Sequence, residues 1–371
     1  MLHLYMERIA PLSERSNSVS HDSAAPAVAS DVSSGEPVPA KKDRPGAKLA
    51  AILVGVPAVL IVMLMAFLLP TLNSGAHNLP LGVSGPAQVA DQVVAALDEQ
   101  SPDAFEVTTF DSAADARDAV LNREQIGAIS IGESGVSIVI ASGAGTPYAP
   151  LLKQVGAGLE AAGQTVTYDD VAPLTEEDPT GSAIAVLGLP LVFGGNISAI
   201  LLITLLKNYP RLRLVGGVLM SVTGGVATAA VMQYGLGVID GNFALTAAAL
   251  SLGIAAIGMT LQGLHNLWGM AGLGVAGVLL LFLANPLGGL ATGPWWLPAP
   301  WGAIGQILPI GAAGTAVRSA AFFDGAGGST AFIVLGCWAV IGFLLSAFIS
   351  RHKSRKTAAL SAAVIPETVA A

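Results

Sequence analysis

The sequence predicts an α-helical membrane protein with six transmembrane helices and an extracellular α/β domain inserted between the first and second helix. Three observations support this prediction. Hydrophobic residues make up 53% of the 371 residues and charged residues only 11%, whereas about a quarter of an ordinary soluble domain is charged. The apolar residues collect in six runs of roughly bilayer length. The acidic residues collect between the first two runs, and the basic residues flank the runs.

The chain begins with residues 1–46, which are rich in serine, alanine and proline and show little apolar periodicity. Such a composition predicts a disordered tail, because it buries too little surface to offset chain entropy. The uncharged run that follows predicts a first transmembrane helix at 47–70, since about 20 residues cross the hydrocarbon core. The alternative is a signal peptide cleaved near Ser74 and Ala76. The apolar run exceeds the roughly 7–15 residues of a signal peptide core, which favours a retained anchor.

Residues 71–182 predict a soluble, extracellular α/β domain. They carry sixteen acidic and three basic residues, a net charge of −13. Ser112 followed by Asp115 matches the pattern of a helix N-cap with a carboxylate three residues on. Apolar periodicity predicts the other elements. The predicted order is strand 79–83, helix 87–99, strand 105–110, helix 112–124, strands 126–131 and 136–141, helix 148–161 and strand 165–168.

Five further apolar runs follow the acidic linker 173–179 and predict a transmembrane domain at 183–350. Within it, residues 285–329 contain five prolines, which would break a continuous helix. This part is predicted to be an outer segment with short or re-entrant helical pieces. Its three tryptophans, Trp295, Trp296 and Trp301, suit the headgroup level of a bilayer. The five predicted transmembrane helices are 183–206, 214–238, 243–264, 267–284 and 330–350, and residues 351–371 are predicted to be a cytoplasmic tail.

The basic residues predict the orientation, because cytoplasmic loops carry an excess of lysine and arginine. With six transmembrane helices, three basic clusters fall on one side and the acidic domain falls on the other. The sequence therefore predicts a multi-pass protein of the plasma membrane with both termini in the cytoplasm. The clusters are Lys41, Lys42, Arg44 and Lys48; Lys207, Arg211 and Arg213; and Arg351, Lys353, Arg355 and Lys356.

No motif in the chain predicts catalysis or a bound cofactor. Cys337 is the only cysteine, so a disulfide within the chain and a cysteine-rich metal site are excluded. The residues nearest to a phosphate-binding loop, 311–319, lack its lysine. No serine has the spacing of a nucleophile elbow. Because the folded soluble segment is acidic, a nucleic-acid partner is not expected either. We therefore expect no enzymatic activity, no metal and no cofactor in this chain.

Two predicted inner loops are candidates for contact with a cytoplasmic partner. The basic one carries Lys207, Tyr209, Arg211 and Arg213. It either receives force from an ATPase, or it only sets the topology and touches anionic lipid. The uncharged turn at 265–268 allows the same two interpretations.

A few polar residues lie within the apolar runs. Asn196, Gln233 and Gln262 either line a translocation path or form hydrogen bonds between helices. Small residues recur at every fourth position from Gly217 to Ala229, which allows another helix to approach closely. That helix belongs either to this chain or to a second copy. Two charges in the outer segment, Arg318 and Asp324, are candidates for an ion pair at the outer membrane surface.

The order of one helix, an α/β domain and five helices resembles the permease subunit of type 2 ABC exporters, in particular the branch of the phage infection protein. The resemblance covers about residues 48–351. One local match is 297–309, followed by Gly314-Thr315 and 318–325, which looks like the segment before the final helix in many actinobacterial members. The second match is 123–129. In the first match, the residues of interest are Trp301, Gln306, Arg318 and Asp324.

The resemblance implies a subunit that takes its energy from ATP bound to a separate cytoplasmic ATPase. It also implies a homodimer, or a heterodimer with a related permease, and it favours the coupling role of the basic loop. The function expected from the sequence is export of an unknown substrate across the plasma membrane. The alternative is a membrane-anchored receptor or interaction protein whose extracellular domain binds a ligand or an envelope component.

Overall fold

The computed structural model describes residues 45–133 and 135–363. The predicted disordered tail therefore lies outside the described residues, apart from its last two, as do the basic residues before position 45 and the end of the chain. Within the described ranges, six helices are long and apolar enough to cross a membrane, which confirms the sequence prediction. They are Leu49–Leu72, Ser182–Leu205, Pro210–Gly235, Phe243–Trp268, Met270–Leu287 and Ser329–Phe348.

Helix α1 is followed by an α/β domain whose elements occur in the predicted order. Its five strands form one sheet with the order β2-β1-β3-β4-β5. The β3–β4 pair is antiparallel and the other three pairs are parallel. The elements are α1 (Pro45–Leu72), β1 (Leu79–Ser84), α2 (Ala87–Gln100), β2 (Phe105–Phe110), α3 (Ala113–Leu121), β3 (Gly127–Gly132), β4 (Gly135–Ile140), α4 (Tyr148–Ala161) and β5 (Val166–Asp170).

Helices cover both faces of this sheet. On one face, apolar residues of α2 and α4 pack with Leu81 and Ile129, and on the other face α3 packs with Ala128 and Val139. The predicted N-cap of α3 is present, because the backbone N–H of Asp115 donates to Ser112 Oγ at 3.1 Å. Alternation in the strands and helical spacing between them were thus sufficient to predict this domain.

The buried carboxylate of Asp178 fixes the start of the next helix. It accepts hydrogen bonds from the backbone N–H groups of Ser182 at 2.9 Å and Ala183 at 2.7 Å, and from the Ser182 hydroxyl at 2.8 Å. Burial alone would raise the pKa of Asp178, but these hydrogen bonds lower it below its ordinary value. Asp178 is therefore a charged cap that satisfies backbone groups left free at a helix N-terminus.

The helical domain, residues 182–363, is built around its longest buried helix, α8. Helices α6, α7, α9, α12 (Pro309–Phe322) and α13 all contact α8. Helix α13 continues beyond the predicted end of its apolar run, so residues 351–363 of the predicted tail are helical. The helices are α5 (Ser182–Val186), α6 (Gly188–Leu205), α7 (Pro210–Ala230) with a π-helical end (Val231–Gly235), α8 (Phe243–Trp268), α9 (Met270–Val278) with a π-helical end (Leu279–Ala284), and α13 (Ser329–Ala363).

Small residues allow α7 to lie directly against α8. A Cβ added to Gly225 would lie 2.6 Å from Ser251 Cα, so only glycine fits there. A Cβ on Gly217 would likewise meet the side chain of Met259 at 2.6 Å. All four small residues of the repeat, Gly217, Ser221, Gly225 and Ala229, are buried. The interpretation of the repeat as packing within the chain is confirmed.

Residues 285–329 form short helical pieces, as the sequence predicts. They are α10 (Asn285–Leu287), a 3₁₀ turn (Pro294–Trp296), α11 (Trp301–Ile307) and α12 (Pro309–Phe322). Helix α12 is almost entirely buried, and its Ile310, Ala313 and Val317 belong to the main apolar core. This segment therefore completes the core of the helical domain as well as connecting its helices.

Candidate functional site

The α/β domain contacts residues 285–329 directly through the backbone. The N–H of Gly75 donates to the carbonyl of Trp296, and the N–H of Thr146 donates to the carbonyl of Ala291, both at 3.1 Å. A Cβ added to Gly145 would lie 2.5 Å from the Thr292 carbonyl oxygen. The two chain segments therefore approach backbone to backbone at these points, and we call the whole contact between them the junction.

Tyr148 is the central aromatic residue of the junction. It begins α4, is completely buried, and its ring lies 6.4 Å and 6.2 Å from the rings of Trp295 and Trp296. Burial raises the pKa of its hydroxyl above the ordinary value, against the opposing effects of Arg318, the Trp295 and Trp296 backbone and Arg123. Two of the three tryptophans that the sequence suggested for the headgroup level therefore pack against the α/β domain.

Arg123 enters the junction from the end of α3. It follows α3 with a left-handed backbone, φ +60°, a conformation that is costly for a residue other than glycine. Its Nη1 donates to the Thr315 carbonyl at 3.2 Å, and its guanidinium lies 5.3 Å from the ring centre of Phe323. The Thr315 hydroxyl in turn donates to Gln306 Oε1 at 2.6 Å. Gln306 therefore lies in the same network as Arg123.

Arg318 is the second buried cation of the junction. Only 3% of it is exposed, and its Nη2 donates to the Leu290 carbonyl at 2.6 Å. The predicted pair with Asp324 is wrong: Asp324 is exposed, and no ion pair joins these two described residues. The Pro/Gly-rich turn leaves a carbonyl without a helical partner, and Arg318 satisfies it. Trp301, like Asp324, is exposed.

The junction holds two cations close together. Burial lowers the pKa of Arg318 to about 10, and burial together with the charge of Arg318 lowers the pKa of Arg123 to about 10. Within the described residues, Tyr148 is the only titratable group that raises the pKa of either arginine. Among the described residues, the Nε atoms of Arg123 and Arg318 have no hydrogen-bond partner. Buried charges are normally paired, so we expect measurable repulsion here.

A double-mutant cycle on Arg123→Met and Arg318→Met should measure that repulsion. Each single variant loses hydrogen bonds but relieves the other cation, whereas the double variant gains this relief only once. We therefore expect the double variant to lose about 0.5–1 kcal/mol more unfolding free energy than the two single variants lose when their losses are added. Unfolding free energies in lipid nanodiscs provide the measurement. If the double variant instead loses less unfolding free energy than the two single losses added together, this result would indicate an anion shared by both arginines.

The basic turn between α6 and α7 separates into an exposed part and a buried part. Lys207, Tyr209 and Arg211 are exposed. Arg213, two residues on in α7, is only 6% exposed, and its Nη2 donates to Asn266 Oδ1 on α8 at 2.5 Å. Asn266 Nδ2 points to the Ser346 carbonyl on α13 at 3.4 Å. The turn is thus attached to two further helices through a buried polar contact.

The three predicted path residues do not form one site. Asn196 is half-buried on α6. Gln233, in the π-helical end of α7, donates to the Gly241 carbonyl at 3.0 Å, just before α8 begins. Gln262 is fully buried near the other end of α8 against Gly217. At about 1.5 Å per residue, Gln233 and Gln262 are separated by roughly 30 Å along α8. Among the described residues, Gln233 has a hydrogen bond to the backbone just before α8, and the roles of Asn196 and Gln262, in a path or in hydrogen bonds between helices, stay predictions.

An apolar groove of about 690 Å³ lies between α7, α8 and α13. Its walls include Val222, Val226, Phe243, Leu252, Val340 and Phe343, with two serines, Ser221 and Ser251. None of the three predicted path residues lines it. The groove presents an apolar surface with few polar groups to whatever occupies it.

No protein-family model, no curated protein and no solved structure matches this chain. Within the described residues, no cluster of three or more histidine, cysteine, aspartate or glutamate side chains could hold a metal. Tyr148 and Thr315 have no local pattern that indicates a place in the junction, because periodicity contains no signal for such long-range contacts.

Proposed function

We propose that this chain is the permease subunit of an ABC-type exporter of the plasma membrane, energised by a separate cytoplasmic ATPase. In this proposal, a second copy or a related permease completes the transporter. The observation that carries the proposal is the attachment of the exposed basic turn, through Arg213 and Asn266, to the central helix of the bundle. A partner that pushes on this turn would thereby move α8.

The charge distribution supports the orientation in the proposal. The α/β domain lies immediately before the helix pair α5–α6, and the exposed Lys207 and Arg211 lie immediately after it. A membrane crossing by Ser182–Leu205 puts the acidic domain and the basic turn on opposite sides. The positive-inside rule then places the turn in the cytoplasm and the α/β domain outside.

A continuous set of contacts supports coupling between the two sides. The basic turn contacts α8 through Arg213, α8 contacts α12, and α12 supplies Thr315 and Arg318 to the junction. Movement of α8 would therefore be transmitted through α12 to Arg123 in the α/β domain. Packed helices and hydrogen bonds of this kind transmit force only if they have two arrangements, which the proposed transport cycle requires.

Charge reversal at Arg211 tests the proposal. Purified with a candidate ATPase in nanodiscs, the Arg211→Glu variant should lose about tenfold in stimulated ATP hydrolysis, because a charge that a partner contacts is reversed. The fold should be unaffected, since Arg211 is exposed. The matched control is Lys153→Glu, which reverses an exposed charge on the α/β domain and should leave hydrolysis unchanged. Full activity of Arg211→Glu, or an equal loss in the control, would contradict the coupling role.

The alternative function, a membrane-anchored receptor or interaction protein, has one specific observation in its favour. The α/β domain contains a pocket of about 470 Å³ that is open to solvent and lined with hydroxyl groups. A receptor would bind its ligand there without any ATPase. A chain that purifies without an ATPase and stimulates no ATP hydrolysis, yet binds a ligand through this domain, would favour this second function.

A further inference from the structure

Four hydroxyl side chains form one row across the sheet of the α/β domain. Ser84 on β1 is paired with Ser130 on β3, Ser130 with Ser137 on β4, and Ser137 with Thr167 on β5. Directly paired residues of neighbouring strands point to the same face of a sheet. Four adjacent strands therefore present hydroxyl groups side by side, and we call this set the hydroxyl row.

The hydroxyl row lines the pocket of about 470 Å³, a volume within the range of small-molecule sites. The pocket lies where the parallel strands β1 and β3 end, at Ser84 and Gly132. Strand β2 pairs with one edge of β1 and strand β3 with the other edge. The chain therefore reverses its direction across the sheet at β1. Ligands of open α/β sheets bind beyond the carboxyl ends of strands at such a reversal of direction.

The covering helix α3 leaves this part of the sheet open. Its Ala116 and Val120 pack on the neighbouring positions Ala128 and Val139, but α3 begins only at Ala113, which itself borders the pocket. A Cβ added to Gly132 would have no atom within 4 Å. The end of the helix and the absence of a side chain at Gly132 thus create the opening.

The hydroxyl row is buried at its β1 and β3 end and accessible to solvent at its β4 and β5 end. Ser84 and Ser130 are buried, and the Ser84 hydroxyl donates to Ser130 Oγ at 2.8 Å. Ser137 is half-buried and Thr167 is exposed. A buried hydroxyl has one donor and two acceptor positions, so this arrangement leaves hydrogen-bonding capacity directed into the pocket.

The lining disfavours an anionic ligand. Among the described residues, the lining contains no lysine, arginine or histidine, and Asp111 is its only charged residue. An anion would meet this carboxylate in a domain with a net charge of −13. Serine and threonine hydroxyls can both donate to and accept from the hydroxyls of a ligand, and a carboxylate accepts from two of them.

We propose that the hydroxyl row and Asp111 bind a neutral carbohydrate at the carboxyl ends of β1 and β3. The site is independent of ATP-driven transport, and it would serve an exporter or a receptor equally. Its ligand is either a free saccharide or part of a polysaccharide chain, since both present the same vicinal hydroxyls.

The test is binding of maltose, trehalose and a soluble glucan to the full chain in lipid nanodiscs, which avoids detergents with sugar headgroups. We expect a Kd of about 1 mM or tighter for at least one of them, by saturation-transfer NMR and calorimetry. The Gly132→Leu variant places a side chain at the mouth, where a Cβ meets open space, and it should weaken binding at least about tenfold. The Ser137→Ala variant removes one hydrogen bond and should weaken it about fivefold.

Thr108→Leu is the matched control, because it removes an exposed hydroxyl of β2 outside the pocket and should leave binding unchanged. Thermal unfolding checks that each variant is folded. Tighter binding of the glucan than of the disaccharides would identify a chain as the ligand. The proposal would be overturned by three results: no binding of any neutral saccharide, undiminished binding by Gly132→Leu, or stronger binding of glucuronate than of the neutral sugars.

Discussion

Replacing Gly342 by leucine is expected to prevent α13 from packing against α8 and to abolish the folded helical domain. A Cβ at this position would lie 2.5 Å from the Thr260 backbone nitrogen of α8. Gly263 on α8 faces the same contact, where a Cβ would lie 3.0 Å from the Gly342 carbonyl oxygen. Backbone atoms cannot rotate away as a flexible side chain does. Overpacking of a core usually costs about 1–3 kcal/mol, and we expect about 3 kcal/mol or more here.

The matched control is Gly336→Leu in the same helix. A Cβ at Gly336 would have no atom within 4 Å, so this variant should unfold at the wild-type temperature. Both substitutions add the same apolar side chain to α13, so membrane insertion affects them alike. The measurements are the folded fraction by size-exclusion chromatography and the thermal unfolding midpoint. Equal stability of the two variants would show that α8 and α13 do not approach as closely as the structure indicates.

The helices and strands could be predicted from the sequence because most of them belong to one of two kinds. Some bury one face and expose the other, and the rest are apolar over a length that crosses a bilayer. Alternation identified β2 with its observed ends, and helical spacing did the same for α4. Six apolar runs became six helices of sufficient length. In each case, the pattern within one short segment is enough, because burial of one face or of the whole surface determines it.

The contacts between segments could not be predicted in this way. Arg123 and Thr315 are 192 residues apart in sequence. The residues around each of them show no pattern that indicates the other as a partner. Arg318 was assigned to Asp324 because opposite charges suggest a pair, whereas a carbonyl in an irregular turn provided its partner. Similarly, the serines of the hydroxyl row are visible in the sequence, but only the strand register shows that they are neighbours.

The basic turn illustrates the same point within four residues. Arg211 and Arg213 have the same side chain and lie in one charged cluster, so the sequence assigned both to contact with a partner. Two residues along an α-helix are about 200° apart around its axis, so Arg211 lies on the surface and Arg213 lies against Asn266. A variant that reverses both charges would therefore combine a surface change with a buried one, and loss of activity in it would not identify a docking site.

Separate charge reversals of these two arginines are expected to give different results. In Arg213→Glu, a carboxylate replaces the donor that meets Asn266 Oδ1, and two acceptors then face each other among buried helices. A buried charge without a partner costs about 3–5 kcal/mol, so the folded fraction should fall sharply. In Arg211→Glu, the exposed substitution should change stability by no more than about 0.5 kcal/mol.

Arg213→Met is the control for the size of the side chain, because it keeps an unbranched apolar stem without introducing a carboxylate, and it should be milder than Arg213→Glu. The measurements are the folded yield and the unfolding midpoint of each variant, followed by ATPase stimulation for those that fold. If Arg213→Glu folds as well as wild type and loses only stimulation, then Arg213 contacts the ATPase itself. If it fails to fold while Arg211→Glu folds and loses stimulation, the exposed residue makes the contact, and the buried one attaches the turn to α8.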